Sequence, residues 1–238
     1  MERIPVKRLD LALDAEFLSR AEEWLSEVDA RAEVALCAVA QEELESELAK
    51  RLASFSSFQG ELPHGLEIDC EFQETIGRDR LFAARGAVEL VGQSVIIVDC
   101  GTALTVDLAK VGLNEGDAKR AIFMGGAIAP GPHLLGEALA RGGARLPEFK
   151  PTPDASALGK HTKAALAAGI AVGLRGAARE LVAGLMEAAS DSALPVVLTG
   201  GAMPFMTSGE PLASRVIEEP ELVHLGLLAA LADRRVTS

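Results

Sequence analysis

The stretch SVIIVDCGTALTVD (94–107) decides the fold. Its first half, SVIIVD (94–99), is an apolar run of strand length that delivers Asp99 at its tip. Gly101 follows where the chain must bend, and LTVDLAK (104–110) alternates like an antiparallel return strand. A turn of this kind can hold phosphate oxygens on its backbone N–H groups and on the Thr102 hydroxyl, while Asp99 holds a cation that offsets the phosphate charge. Asp107 is a second carboxylate on the returning strand. The same residues also suit a plain tight hairpin whose Asp and Thr only satisfy the turn.

Downstream, AIFMGGAIAPG (121–131) reads as a third strand ending in a Gly/Pro turn, and the proline-rich 147–154 segment as loop. An Ala/Gly/Leu-rich helix is expected over 162–189, a buried strand LPVVLTGG over 194–201, and a last helix over 221–235. Upstream, RLFAARGAVELV (80–91) reads as a helix despite Gly86. Helical spacing also marks 15–28 and 41–55, with a short strand at 34–40 between them. The sum is a mixed α/β protein with an aliphatic core.

Composition narrows the function. Of the 238 residues, 49% are apolar, enough for a sizeable core, and the net charge of −12 is the wrong sign for a protein whose main partner is nucleic acid. Three irregularly spaced cysteines (Cys37, Cys70, Cys100) signal neither a zinc site nor a disulfide framework. The charged N-terminus lacks the apolar core of a secretory signal, and no apolar run is long enough to span a bilayer. A cytoplasmic protein without a membrane partner is expected.

Four further motifs carry chemistry. In Gly77-Arg78-Asp79-Arg80, a carboxylate between two arginines can take a proton from an alcohol while an arginine holds an anionic substrate group; alternatively Asp79 caps the helix that follows. Leu198-Thr199-Gly200-Gly201 ends a strand in bare backbone against which a flat ring such as adenine can lie, or simply turns the chain. Gly125-Gly126-Ala127-Ile128-Ala129-Pro130-Gly131 brings backbone close to a site or to another chain, or is loop geometry only. Gly159-Lys160-His161-Thr162 opens the long helix, where an anion or a plain Thr cap would fit. The four histidines show no metal-binding spacing.

The order GRDR, DCGTALTVD, GGAIAPG, GKHT, LTGG resembles that of the type III pantothenate kinases, which have the actin-like ATPase fold. The resemblance runs from about residue 31 to 235. It implies two actin-like (ribonuclease H-like) domains with mixed sheets, here 1–93, N-terminally shortened, and 94–238. It also implies transfer of a phosphoryl group from ATP to pantothenate, the first step towards coenzyme A. By position, Asp79 matches the family's catalytic base, and Gly77, Arg78, Arg80 and Thr162 match pantothenate contacts. Asp99 matches a monovalent-cation ligand, Gly101 and Thr102 an ATP contact, and Gly200 and Gly201 the adenosine side. The family uses ATP with a divalent cation such as magnesium, a monovalent cation (potassium or ammonium), and is a homodimer.

Two features depart from that pattern. The family's opening Asp-x-Gly-Asn-Thr phosphate motif is not found: Asp10 and Asp14 lie near the start, but neither is followed by Gly-Asn-Thr. The chain is expected to begin about two strands late, because its start lies upstream, because it is a weakly active or regulatory homologue (the Bvg accessory factor type), or because a partner completes the site. The aromatic residue usual just before GxDR is also missing, and Thr75-Ile76 stands there.

Overall fold

A computed structural model describes residues 62–113, 119–143 and 146–237, and the isolated positions 23, 26, 27, 37, 46 and 50. Apart from those isolated positions, the helices expected over 15–28 and 41–55 and the strand over 34–40 lie outside the described residues. The described strands form one mixed sheet, ordered β1-β4-β3-β2-β5-β6. These are β1 (Glu67–Ile68), β2 (Val95–Cys100), β3 (Ala103–Leu113), β4 (Lys119–Pro130), β5 (Val196–Thr199) and β6 (Val216–Glu218). Strands β2 and β3 form the expected antiparallel hairpin, β4 pairs antiparallel with β3, and β5 and β6 run parallel to β2.

Two helix layers cover the sheet. Residues alternate along β2, so Ile96, Val98 and Cys100 face one side and Val95 and Ile97 the other. Against the first set pack Ile170, Ala171, Leu174, Ala178 and Val182 of α3 (Thr162–Ala189), the long helix, with Phe205 and Met206 of α4 (Pro204–Thr207). Helix α2 (Pro132–Gly142) lies before α3, and its Leu135 packs on the same core. Against the second set pack Leu81, Ala83, Ala84 and Ala87 of α1 (Arg78–Val91) and Leu222 of α5 (Leu222–Thr237). That core joins residues on both sides of position 93.

Helix α1 begins two residues earlier than the periodicity suggests. Gly77 is its N-cap, so Asp79 sits inside the first turn rather than capping it. Gly86 is tolerated because α1 and α5 cross at close range. A Cβ on Gly86 would overlap the Leu222 carbonyl, and one on Gly226 the Phe82 carbonyl. The N-cap of α3 is His161, whose Nδ1 accepts from the Ala164 N–H at 3.4 Å, and Thr162 is the first helical residue.

Strand β4 does not stop at its glycines. Asp107 pairs with Gly126 and Ala109 with Phe123, so three steps on β4 oppose two on β3. The extra residue is a bulge, and Gly125 takes it up at φ +85°. The bulge switches the face of every later β4 side chain, bringing Gly126 opposite Asp107.

Candidate active site

Register places the polar ends of three strands on one face. Asp99 pairs with Thr105 and with Thr199, and Ile97 pairs with Asp107. Directly paired residues share a face, so Asp99, Thr105, Asp107 and Thr199 all lie on the side covered by α1. Asp99 and Asp107 are diagonal neighbours there, about 7–8 Å apart by strand geometry. Helix α1 starts at the same end, because Arg80 reaches Asp107. The structure therefore brings Asp79 and Asp99 to one face of one sheet.

Three connections converge beyond Asp99. In the β2–β3 turn the Gly101 N–H donates to the Ala103 carbonyl at 2.8 Å. The Thr102 carbonyl accepts from the Gly131 N–H at 2.9 Å, tying the β4–α2 connection to that turn. The Cys100 carbonyl accepts from the Ala202 N–H at 2.7 Å, tying in the β5–α4 connection. Gly200 adopts φ +95°, and a Cβ there would overlap Asp99 Oδ1. The carboxylate thus lies over bare backbone, beside the Cys100 carbonyl. This all-oxygen setting fits a hard cation such as potassium better than a soft one. Thr102 and Gly201 are exposed. The described residues hold no group of three His, Cys, Asp or Glu side chains that could cage a metal. A divalent ion would fit here as a partner of nucleotide phosphates, which is how magnesium is usually held.

At the start of α1, Asp79 Oδ1 accepts the Arg80 N–H at 2.8 Å and lies 2.5 Å from where a Gly77 Cβ would be. Gly77 is the residue that leaves room for it. The two arginines make protein contacts. Arg78 Nη2 donates to the Leu62 carbonyl at 2.9 Å, and the guanidinium lies 5.6 Å over the Phe82 ring. Arg80 Nε donates to Asp107 Oδ2 at 3.1 Å and Nη2 donates to Oδ1, with the guanidinium 5.5 Å over Phe123.

Asp107 is 1% exposed. Burial raises its carboxyl above the ordinary range, against the pull of Arg80 and of a hydrogen bond to the Thr105 side chain. Burial alone would lower the Arg80 guanidinium; the hydrogen bond to Asp107 and the charges of Asp107 and Asp79 outweigh this and raise it. With an arginine held bidentate on it, Asp107 is an ionised member of a buried pair at neutral pH. Cys100 behind Asp99 is pushed up to about 12 by burial and then by the Asp99 charge, so it is an inert packing thiol.

Thr162 stands apart. It is exposed, at the start of the helix that covers the opposite face, six residues before Ala168, the first buried residue of that helix. Grooves of about 740 and 410 Å³ also lie on other parts of the surface. One is between α2 and Glu148–Pro151, the other between β4 and α3, and neither is lined by Asp79 or Asp99. The Arg80–Asp107 pair is the feature that sequence reasoning missed. The one available signal was an aspartate in the middle of a return strand whose neighbours are apolar.

A sequence model of the family described as type III pantothenate kinase matches residues 12–184. Curated relatives of that description include one from Kosmotoga olearia, 34% identical over 61% of this chain and 52% of its own length. Another, from Gluconobacter oxydans, is 36% identical over 71% of this chain and 59% of its own. A third, from Halorhodospira halophila, is 40% identical over 65% of this chain and 56% of its own. The chain thus spans between half and three fifths of the length of these relatives. A solved structure of a conserved Baf family protein from Campylobacter jejuni shares the fold, with TM-score 0.59 at 20% identity over 90% of this chain and 88% of that one. With the family match covering most of the sequence, the chain belongs to the type III pantothenate kinase family.

Proposed function

We propose that this protein transfers the γ-phosphoryl group of ATP to the primary hydroxyl of pantothenate, giving 4′-phosphopantothenate for coenzyme A synthesis. The observation that carries this reading is the shared sheet face of Asp79 and Asp99, with the three backbone connections converging beyond Asp99. Phosphoryl transfer asks a protein for positioning and charge neutralisation more than for covalent chemistry. Asp79 takes the hydroxyl proton. Asp99 holds potassium or ammonium, and Gly101 and Thr102 face the phosphates. Gly200 and Gly201 take the adenosine side, and a divalent cation travels with the nucleotide, offsetting its charge. Gly77, Arg78 and Arg80 shape the pantothenate side.

Thr162 joins that side from a second copy of the chain. Thr162 opens the helix whose buried residues pack on the sheet face opposite α1, which supports a homodimer in which each site draws on both protomers. Among the described residues, no helix is long and apolar enough to cross a membrane.

The test is nucleotide consumption with the monovalent cation varied. ADP release should require pantothenate and should rise with potassium, and Asp99→Asn should lose the potassium response. A potassium response unchanged in Asp99→Asn would remove that assignment.

A further inference from the structure

We infer that Asp107 is a positioning residue for Asp79 and acts through Arg80. The catalytic consequence rests on the proposed role of Asp79; the mechanical part rests on geometry alone.

The first turn of α1 is poorly held by its own backbone. Of its opening hydrogen bonds to the Gly77 carbonyl, that from the Leu81 N–H is long at 3.4 Å, and the Arg80 N–H, at 3.2 Å, is shared with Asp79 Oδ1 at 2.8 Å. The first N–H groups of a helix have no partner within it, so its start is steadied by groups outside it. Asp107 supplies that hold. It sits inside β3 with strands on both sides, so the sheet fixes its backbone. Gly126 opposite leaves its carboxylate room, since a Cβ there would come within 2.5 Å of Oδ1. The carboxylate grips Arg80 through two hydrogen bonds, which set orientation as well as distance. The Phe123 ring supports the guanidinium from one side.

Arg80 passes this constraint on. Its backbone N–H is the donor that holds Asp79 Oδ1. The residue fastened to the sheet is therefore the residue that aims the base. The Arg80 side chain is 14% exposed with two donors committed to Asp107, so its part on the pantothenate side is to orient the machinery.

The experiment uses the full chain and four variants: Asp107→Asn, Arg80→Gln, Arg80→Lys and the double Arg80→Gln/Asp107→Asn. Hydrogen exchange of the Arg80 and Leu81 amides is read beside that of the Ala87–Val91 amides as internal control. Asp107→Asn should speed exchange at the first two by about tenfold or more and leave the control unchanged. Unchanged exchange at the first turn would overturn the inference. If Asp107→Asn does not yield folded protein, the double variant, which leaves no buried charge unpaired, carries the same measurement.

In turnover, Asp107→Asn should lower kcat about tenfold or more while the pantothenate KM stays within about threefold. The double variant should be no slower than the slower single, because both act through one linkage. Additive losses would overturn the inference, and so would a raised KM with kcat intact. Arg80→Lys keeps the charge without the fork and should stay as slow as Arg80→Gln; full rescue by lysine would assign the effect to charge alone and overturn positioning. If the unsubstituted protein shows no turnover, the kinase proposal fails by itself, and the exchange result still decides whether Asp107 holds the start of α1.

Discussion

Two aspartates in one chain of contacts do different work because burial differs. Asp107 is sealed in the sheet and spends its charge on Arg80, whereas Asp79 is half-buried at a helix start that faces the site. His64 is a second residue whose surroundings make a prediction. Its pKa is lowered by burial first and then by the charges of Arg78 and Arg85. Those same arginines fasten the 62–66 segment to α1, Arg78 through the Leu62 carbonyl and Arg85 through the His64 carbonyl. Below the unfolded value of 6.5 the unfolded chain binds more protons at this site than the folded one. Stability must therefore fall as pH drops through that window, with no contribution above it. The urea midpoint of the unsubstituted protein should fall more between neutral pH and about pH 5 than that of His64→Gln, which keeps an acceptor for the Leu66 N–H. Equal pH dependence in the two proteins would show that His64 is not the group responsible.

Among the elements, β2, β3, β4, α1, α3, β5 and α5 were legible because each carries a long apolar pattern. Strands β1 and β6 were not. Two or three residues hold no period, and their extended form comes from pairing with β4 and β5. Helix α2 escaped notice although Pro132 at its start and Leu134, Leu135 and Leu139 along it were available as signals. The site divides along the same line. Local motifs are enough to single out Asp99, Gly200 and Asp79 as candidates, since each motif needs only its neighbours to make sense. They do not reveal the Arg80–Asp107 pair, because it joins residues 27 positions apart and depends on where α1 lands on the sheet. Gly86 was legible as an anomaly and explained only by α5. Gly86→Ala should force the two helices apart, costing about 1–3 kcal/mol, with Gly226→Ala similar in sign. Thermal unfolding checks this, and an unchanged midpoint in both variants would contradict the close crossing.

In the molecule taken together, α1 and α3 cover opposite faces of one sheet. The buried residues of α3, the helix that Thr162 opens, pack on the sheet face opposite α1, and in the proposed homodimer the pantothenate site draws Asp79 and Thr162 from two chains. Asp79→Asn and Thr162→Ala chains should each be inactive alone. Mixed and re-equilibrated, they should recover about a quarter of wild-type activity, because in a two-fold dimer half the pairs are mixed and each mixed pair keeps one intact site. No recovery on mixing, with heterodimer present by mass, would place both residues' contributions within one chain.

The most direct test of the central proposal is ADP formation by the purified chain supplied with ATP, magnesium and potassium, with and without pantothenate. The account predicts release only when pantothenate is present. It also predicts that Asp79→Asn, with circular dichroism unchanged, loses turnover by about a hundredfold or more. A wild-type rate in that variant, or ADP release indifferent to pantothenate, would contradict it.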